Sequence, residues 1–341
     1  MHSSISSSEF QTSASLIKAW LLGICLAAAA LTVWELAWRQ LGHVPSVPDD
    51  KLLWCSQRRL VYASNAVVLL GTSRMHVGFS KEIFRALHRD RPLIQLAIEG
   101  HGPIATLRDL ASDNKFSGKV LCEVFTDALL PAAVNAQQPW VDAFHQQLTL
   151  EKRLGKDLQV FLQSHLVFLD WHLNPKRVLS EWMRSHHLPR PFYIRGFPDR
   201  FMEADFSAGD SSQRLFAFDP AKGRAAYTDD PLTQAEWITH VKSLEPFVTA
   251  IRKRGGSVVF VVFPISGQVR KIEEEFRPKS LFWDPIRTET FIRLEHYSEL
   301  PGIAQLSCPD GSHLDKRDAR VFTAALLSDL HVSRQLPILS R

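Results

Sequence analysis

A serine just past an apolar run, and an aspartate and histidine three residues apart near the far end of the chain, could together do ester chemistry. Residues 67–80 read VVLLGTSRMHVGFS, so a buried-looking run stops at Gly71-Thr72-Ser73. The carboxyl ends of strands are where open α/β sheets hold their chemistry. A serine hydroxyl is a weak nucleophile until a base takes its proton and donors receive the developing negative charge. The base and its orienting acid stand in residues 308–322, CPDGSHLDKRDARVF, as Asp310 and His313. On a tight turn, D-x-x-H lets one imidazole nitrogen meet the carboxylate while the other faces a serine from a strand end. The backbone N–H groups of Ser73 and Gly100 are the expected oxyanion donors; Arg74 suits a structural or a substrate-facing role, and Asp127 is a candidate to face a substrate. Each signal has a plain alternative: Ser73 can simply cap the following segment, and Asp310–His313 can be an ordinary turn. His76 and His101 fit surface or packing roles, Glu99 a solvated loop. His186 and His187 lack a partner motif for metal.

These residues need a scaffold, and the apolar runs supply one. Runs at 67–70, 93–98, 120–125 and 258–263 are short and nearly continuous, as suits strands buried on both faces of a parallel sheet. Helical patterns separate them. Ser80 can cap one helix, Thr233-Gln234-Ala235-Glu236 reads as a capping box, and Asp315 can cap a last helix with Ala319, Phe322, Leu326 and Leu330 on one face. Such alternation predicts a three-layer α/β domain. About 130 residues between the third and fourth runs are too many for a crossover. Residues 128–230 are therefore expected to be a helical insertion covering the carboxyl ends of the strands and walling an open groove. Its aromatics Trp140, Trp171, Phe192 and Tyr193 suit core packing, or stacking on sugar rings.

Residues 1–15 are Ser/Thr-rich and read as a disordered tail, followed by an apolar segment at 16–38. Nothing from Ala19 to Trp34 is charged, a length that suits a membrane span, with Trp20 at one end and Trp34 and Trp38 at the other. A cleaved signal peptide would be shorter, and a buried soluble helix would show a polar face. An uncleaved single-span anchor is the expectation. The short tail favours a cytoplasmic N-terminus, although Lys18 and Arg39 nearly cancel as orienting charges. A Pro-bearing linker at 39–59 then leads into a domain at 60–335.

The chain has 341 residues, 45% hydrophobic and 22% charged, so a packed core is feasible. The net charge of +4 is spread without a long basic run among aromatics, and no nucleic-acid partner is expected. Four cysteines include no C-x-x-C pair and no zinc spacing, so no metal site is expected.

Gly71-x-Ser73-Arg74 after a first strand, Gly100 after a second, and Asp310-x-x-His313 before the last helix, in that order, resemble blocks I, II and V of the SGNH/GDSL hydrolase superfamily. The resemblance covers roughly residues 60–127 and 230–335. It implies a flavodoxin-like sheet and an acyl-serine intermediate, without a cofactor. With the anchor, it is similar to bacterial envelope members that act with membrane-bound O-acyltransferases on exopolysaccharides. The implied setting is the inner membrane, single-pass, with a periplasmic catalytic domain and an envelope polysaccharide or acyl ester as substrate. One departure matters. Where the family has an Asn after the third strand, this chain has Glu123-Val124-Phe125-Thr126-Asp127. Asn135 is close in sequence but lacks the expected context. An inactive scaffold that holds polysaccharide or an acyltransferase partner is therefore the alternative.

Overall fold

Val67–Leu70, the first apolar run, forms strand β1 and is buried at every position. Successive strand residues face opposite sides, so helices must cover both faces. β2 (Leu93–Gln95) and β3 (Lys119–Glu123) follow. An antiparallel hairpin comes next, β4 (Ile194–Gly196) with β5 (Met202–Ala204). β6 (Ser257–Val262) and β7 (Leu294–His296) complete the strands. The computed structural model describes residues 7–146, 149–207, 219–229, 231–303 and 305–332. The main sheet is parallel throughout, in the order β2-β1-β3-β6-β7. From β1 the chain goes to one side for β2 and returns to the other for β3. This reversal opens a crevice at the carboxyl ends of β1 and β3.

The second run is shorter than expected. β2 stops at Gln95, although the Leu96 and Ile98 N–H groups still donate to the Leu69 and Gly71 carbonyls. The Leu96 carbonyl accepts from the Trp54 indole (3.0 Å), and the buried Arg200, in the β4–β5 connection, takes the carbonyls of Gln95 (2.7 Å) and Ala97 (2.8 Å). Arg200 also grips Asp49 with two bonds of 2.6 Å. β7 had no sequence signal, being three residues long and carrying Glu295 and His296.

Three helix starts follow the expected chemistry. Thr233 and Glu236 form a reciprocal capping box at Gln234–Lys242. Ser80 accepts from the Ile83 N–H, and Asp315 from the Arg317 N–H. The last helix, Lys316–Val332, buries Ala319, Phe322, Leu326 and Leu330 along one stripe. It packs on the short helices Ser73–Gly78 and Lys81–Leu87. Phe322 meets Phe263 at 4.6 Å between ring centres, and Thr323 accepts from the Ser80 N–H. Burying one such ring stabilises by about 1.5–3 kcal/mol.

The chain divides into two units, Val47–Phe161 with Tyr193–Arg341, which holds the sheet, and Met1–Ser46 with Leu162–Phe192. The expected insertion is thus not one body. Val167, Leu173 and Val178 bury against Trp38 of the N-terminal helix. Trp140 packs at the edge of the sheet core and Tyr193 is buried, whereas Trp171 is exposed and Phe192 stacks on His172. Residues 147–148, 208–218 and 230 of the insertion lie outside the described residues.

The N-terminal helix runs Ser7–Gln40, beyond both ends of the expected segment. Residues 1–6 of the expected tail lie outside the described residues, while Ser7 onward is already helical. Ser15–Gln40 is long and apolar enough to cross a membrane, with a mean hydropathy of 2.1 in its most apolar stretch. Trp38 does not face lipid as an interfacial belt would. It is buried in its own unit, where Glu35 accepts from the Val167 and Phe168 N–H groups and Arg39 donates to the His165 carbonyl.

Candidate active site

Gly71 ends β1 with φ at +154°, and a side chain there would start 2.6 Å from a Glu123 oxygen. Only glycine suits both the backbone and the space. Glu123, the last residue of β3, is fully buried. Its Oε2 accepts from the Thr72 N–H (2.6 Å) and hydroxyl (3.0 Å). Burial pushes its carboxyl upward, against the opposing field of Arg74 and the Thr72 bonds. Thr72 in turn caps the helix Ser73–Gly78, so Ser73 sits at its first position. The buried Gln137 ties neighbouring turns together: its amide donates to the carbonyls of Gly71 (3.1 Å) and His101 (3.0 Å) and its oxygen accepts from Thr106.

The other half of the site hangs from the end of β6. Ser266 donates to the Cys308 carbonyl and accepts from its N–H, both at 2.9 Å, and the Ser266 N–H donates to the Gly311 carbonyl. Gly311 has φ +93°, and a side chain there would meet Val269 at 2.7 Å. In the resulting turn Asp310 Oδ1 accepts from the N–H groups of Ser312 (3.0 Å) and His313 (2.8 Å).

These supports bring Ser73, His313 and Asp310 together. His313 Nε2 lies 2.7 Å from Ser73 Oγ, and His313 Nδ1 lies 2.9 Å from Asp310 Oδ2. Ser312 Oγ is 3.0 Å from the same Nδ1. All three triad residues are buried. Burial acts to raise the Asp310 pKa, but its bonds to His313 and the two N–H groups outweigh that and hold it below the usual carboxylate range. A carboxylate so held fixes the imidazole orientation and stabilises its protonated form.

Among the described residues, the Ser73 and Gly100 N–H groups have no hydrogen-bond acceptor. Gly100 is exposed, at φ +69° in a turn closed by His101 N–H to Ile98 O. Asn135 is exposed, and its side-chain oxygen accepts from Arg108 (2.9 Å). Asp127, expected to face a substrate, pairs with Arg277. That pairing offsets the charge that would oppose an oxyanion in this region.

A cleft of about 250 Å³ is lined by Arg74, the residue after Ser73, with Phe125, Glu273, Arg277, His296 and Tyr297 among others. The Arg74 guanidinium packs over the Phe125 ring at 5.3 Å and, among the described residues, pairs with no carboxylate. Burial holds His296 down to about 4 and pushes Glu273 up. His76 is not in the cleft. It is fully buried, with both ring nitrogens unbonded, and burial lowers it to about 3. His101 bonds the Glu99 carbonyl, and Glu99 is raised by burial and the nearby Asp49 charge. No three acidic, His or Cys side chains group as a metal site among the described residues.

The sequence places Glu123 at the end of the third run but gives it no role; an acidic residue ending an apolar strand is the signal for one. Gln137 and Ser266 carry no such signal. In comparison with known proteins, no family model, no curated protein and no solved structure matches this chain.

Proposed function

We propose that this chain is a membrane-anchored serine enzyme of SGNH/GDSL type that transfers acyl groups, with O-acetyl transfer on an envelope carbohydrate favoured over plain hydrolysis. The observation that carries the proposal is the Ser73–His313–Asp310 relay, with contacts of 2.7 and 2.9 Å in triad order. Ser73 Oγ attacks the acyl carbonyl while His313 Nε2 takes its proton. The Ser73 and Gly100 N–H groups receive the oxyanion. His313 then protonates the leaving oxygen. Water or a sugar hydroxyl, deprotonated by His313, resolves the acyl-serine.

The flavodoxin-like strand order and the nucleophile at the switch point support an enzyme of this class. The apolar helix supports a single-span membrane anchor. In this reading the membrane is the inner one and the domain is periplasmic, where a polysaccharide acceptor and a membrane-bound O-acyltransferase donor would meet it. The alternative is a scaffold that binds polysaccharide or such a partner without turnover. The observation favouring it is that Asp127 stands where a donor amide is expected and the nearby Gln137 spends both amide N–H groups on the Gly71 and His101 carbonyls. Losing one oxyanion donor typically costs about two to three orders of magnitude in rate. Turnover of a small acetyl ester, with and without a sugar acceptor, separates the cases. An acetyl adduct on Ser73 by mass spectrometry, discharged faster by sugar than by water, supports transfer. A folded chain that never forms the adduct supports the scaffold.

A further inference from the structure

The segment Leu162–Phe192 has no part in the relay, yet it is built around the base of the apolar helix. Trp38 is buried against Val167, Leu173 and Val178, with Trp34 packed alongside. Glu35 and Arg39 bond the backbone of residues 165–168. His43 is bonded to the Pro189 carbonyl at 3.1 Å. The segment is therefore fixed at the helix turn from Trp34 to Trp38, about 6 Å of axial rise. That turn is where a span starting near Leu16 leaves the hydrocarbon core.

Within the segment, the helix Pro175–Ser185 buries only Val178. Its outer face carries Leu179, Trp182 and Met183, exposed to 55%, 49% and 64%. The i, i+3, i+4 spacing makes them one stripe. Leu188 and Trp171 extend the exposed apolar surface, and Arg177 stacks on the Trp171 ring at 4.3 Å. Residues 174–192 hold Lys176, Arg177, Arg184 and Arg190 against the single acid Glu181. An exposed apolar stripe with cations around it is the composition of a helix that lies in a bilayer surface.

We propose that the Pro175–Ser185 helix is an interfacial membrane helix, with Leu179, Trp182 and Met183 embedded among the acyl chains and its cations on anionic headgroups. The bilayer is the one that the N-terminal helix crosses, so the proposal rests on that span. A single helix leaves the body it carries free to tilt and swivel. A second, surface-lying contact fixes its own unit at a set height and orientation. Embedding of about 5–10 Å is the depth such helices reach. Each cation at an anionic surface strengthens the contact about fivefold.

The full chain is reconstituted in phosphatidylcholine vesicles with and without phosphatidylglycerol. The Trp182 signal is isolated as the difference between wild type and Trp182→Phe. Lipids brominated near the headgroup should quench most of that signal, and lipids brominated near the bilayer centre little of it. Removing phosphatidylglycerol should weaken the shallow quenching. Leu179→Glu with Met183→Glu should return Trp182 to water-like emission; both positions are exposed, so folding is not at stake. An unquenched Trp182 in wild type, or quenching unchanged by the double substitution, overturns the proposal. Extraction by alkaline carbonate reports separately on the span, so loss of the anchor and loss of the surface contact are told apart.

Discussion

Replacing Glu123 should damage the site without touching the triad. Its Oε2 is the acceptor for two Thr72 donors, in a position with no exposure to water. Glu123→Leu leaves a buried N–H and a buried hydroxyl unbonded. At about 1–3 kcal/mol for each orphaned donor, the loss is about 2–6 kcal/mol, toward the low end if the hydroxyl turns to another acceptor. Glu123→Gln keeps an oxygen for both donors and should cost about 1 kcal/mol. The two variants also differ in pH dependence. A carboxyl raised on folding binds more protons in the folded state, so its contribution to stability falls as pH rises above its unfolded range near about 4.3. Wild type should therefore lose stability relative to Glu123→Gln as pH rises through that window. Urea unfolding of the detergent-solubilised chain, followed by fluorescence of the buried Trp54 and Trp237, measures both effects. In the same preparation, Glu123→Leu should slow acylation about a hundredfold, the loss expected from displacing Ser73 by about 1 Å. Equal stability of the Leu and Gln variants at every pH would refute the assigned role of Glu123.

Gly71→Ala forces a side chain onto Glu123 at a backbone angle that disfavours one, and should cost about 3 kcal/mol or prevent folding; unfolding midpoints check it, and an unchanged midpoint contradicts the packing described. His76 is held near 3 in the folded chain against about 6.5 unfolded, so its neutral form supports the fold above the unfolded value and that support drains as pH falls. Between about pH 6.5 and 5 the drain is about 2 kcal/mol, and His76→Leu should remove it from the acid slope in urea titrations. Protease added to spheroplasts should digest the sheet unit; full protection until lysis would reverse the proposed topology.

Much of the framework was legible because it rests on short-range rules. β1 carries a continuous apolar run, Thr233 and Glu236 stand at capping-box spacing, and Asp310 and His313 share one turn. Joining Ser73 to His313 across 240 positions needed the expectation that both lie at strand ends. What escaped notice depends on partners far away in sequence. The Gln95 and Ala97 carbonyls go to Arg200, which nothing local to β2 announces. β7 is too short and polar for a periodic signal. Val167, Leu173 and Val178 bury on Trp38, a residue that the span pattern assigns to the membrane interface.

The most direct test of the central claim is labelling with a fluorophosphonate at neutral pH, read by peptide mapping. The relay of Ser73, His313 and Asp310 predicts one adduct, on Ser73, absent in Ser73→Ala. In Asp310→Asn the labelling should slow by about four orders of magnitude, because the imidazole then favours the wrong tautomer. A folded wild-type chain that takes no label, or one that labels at the same rate after Ser73→Ala, would contradict it.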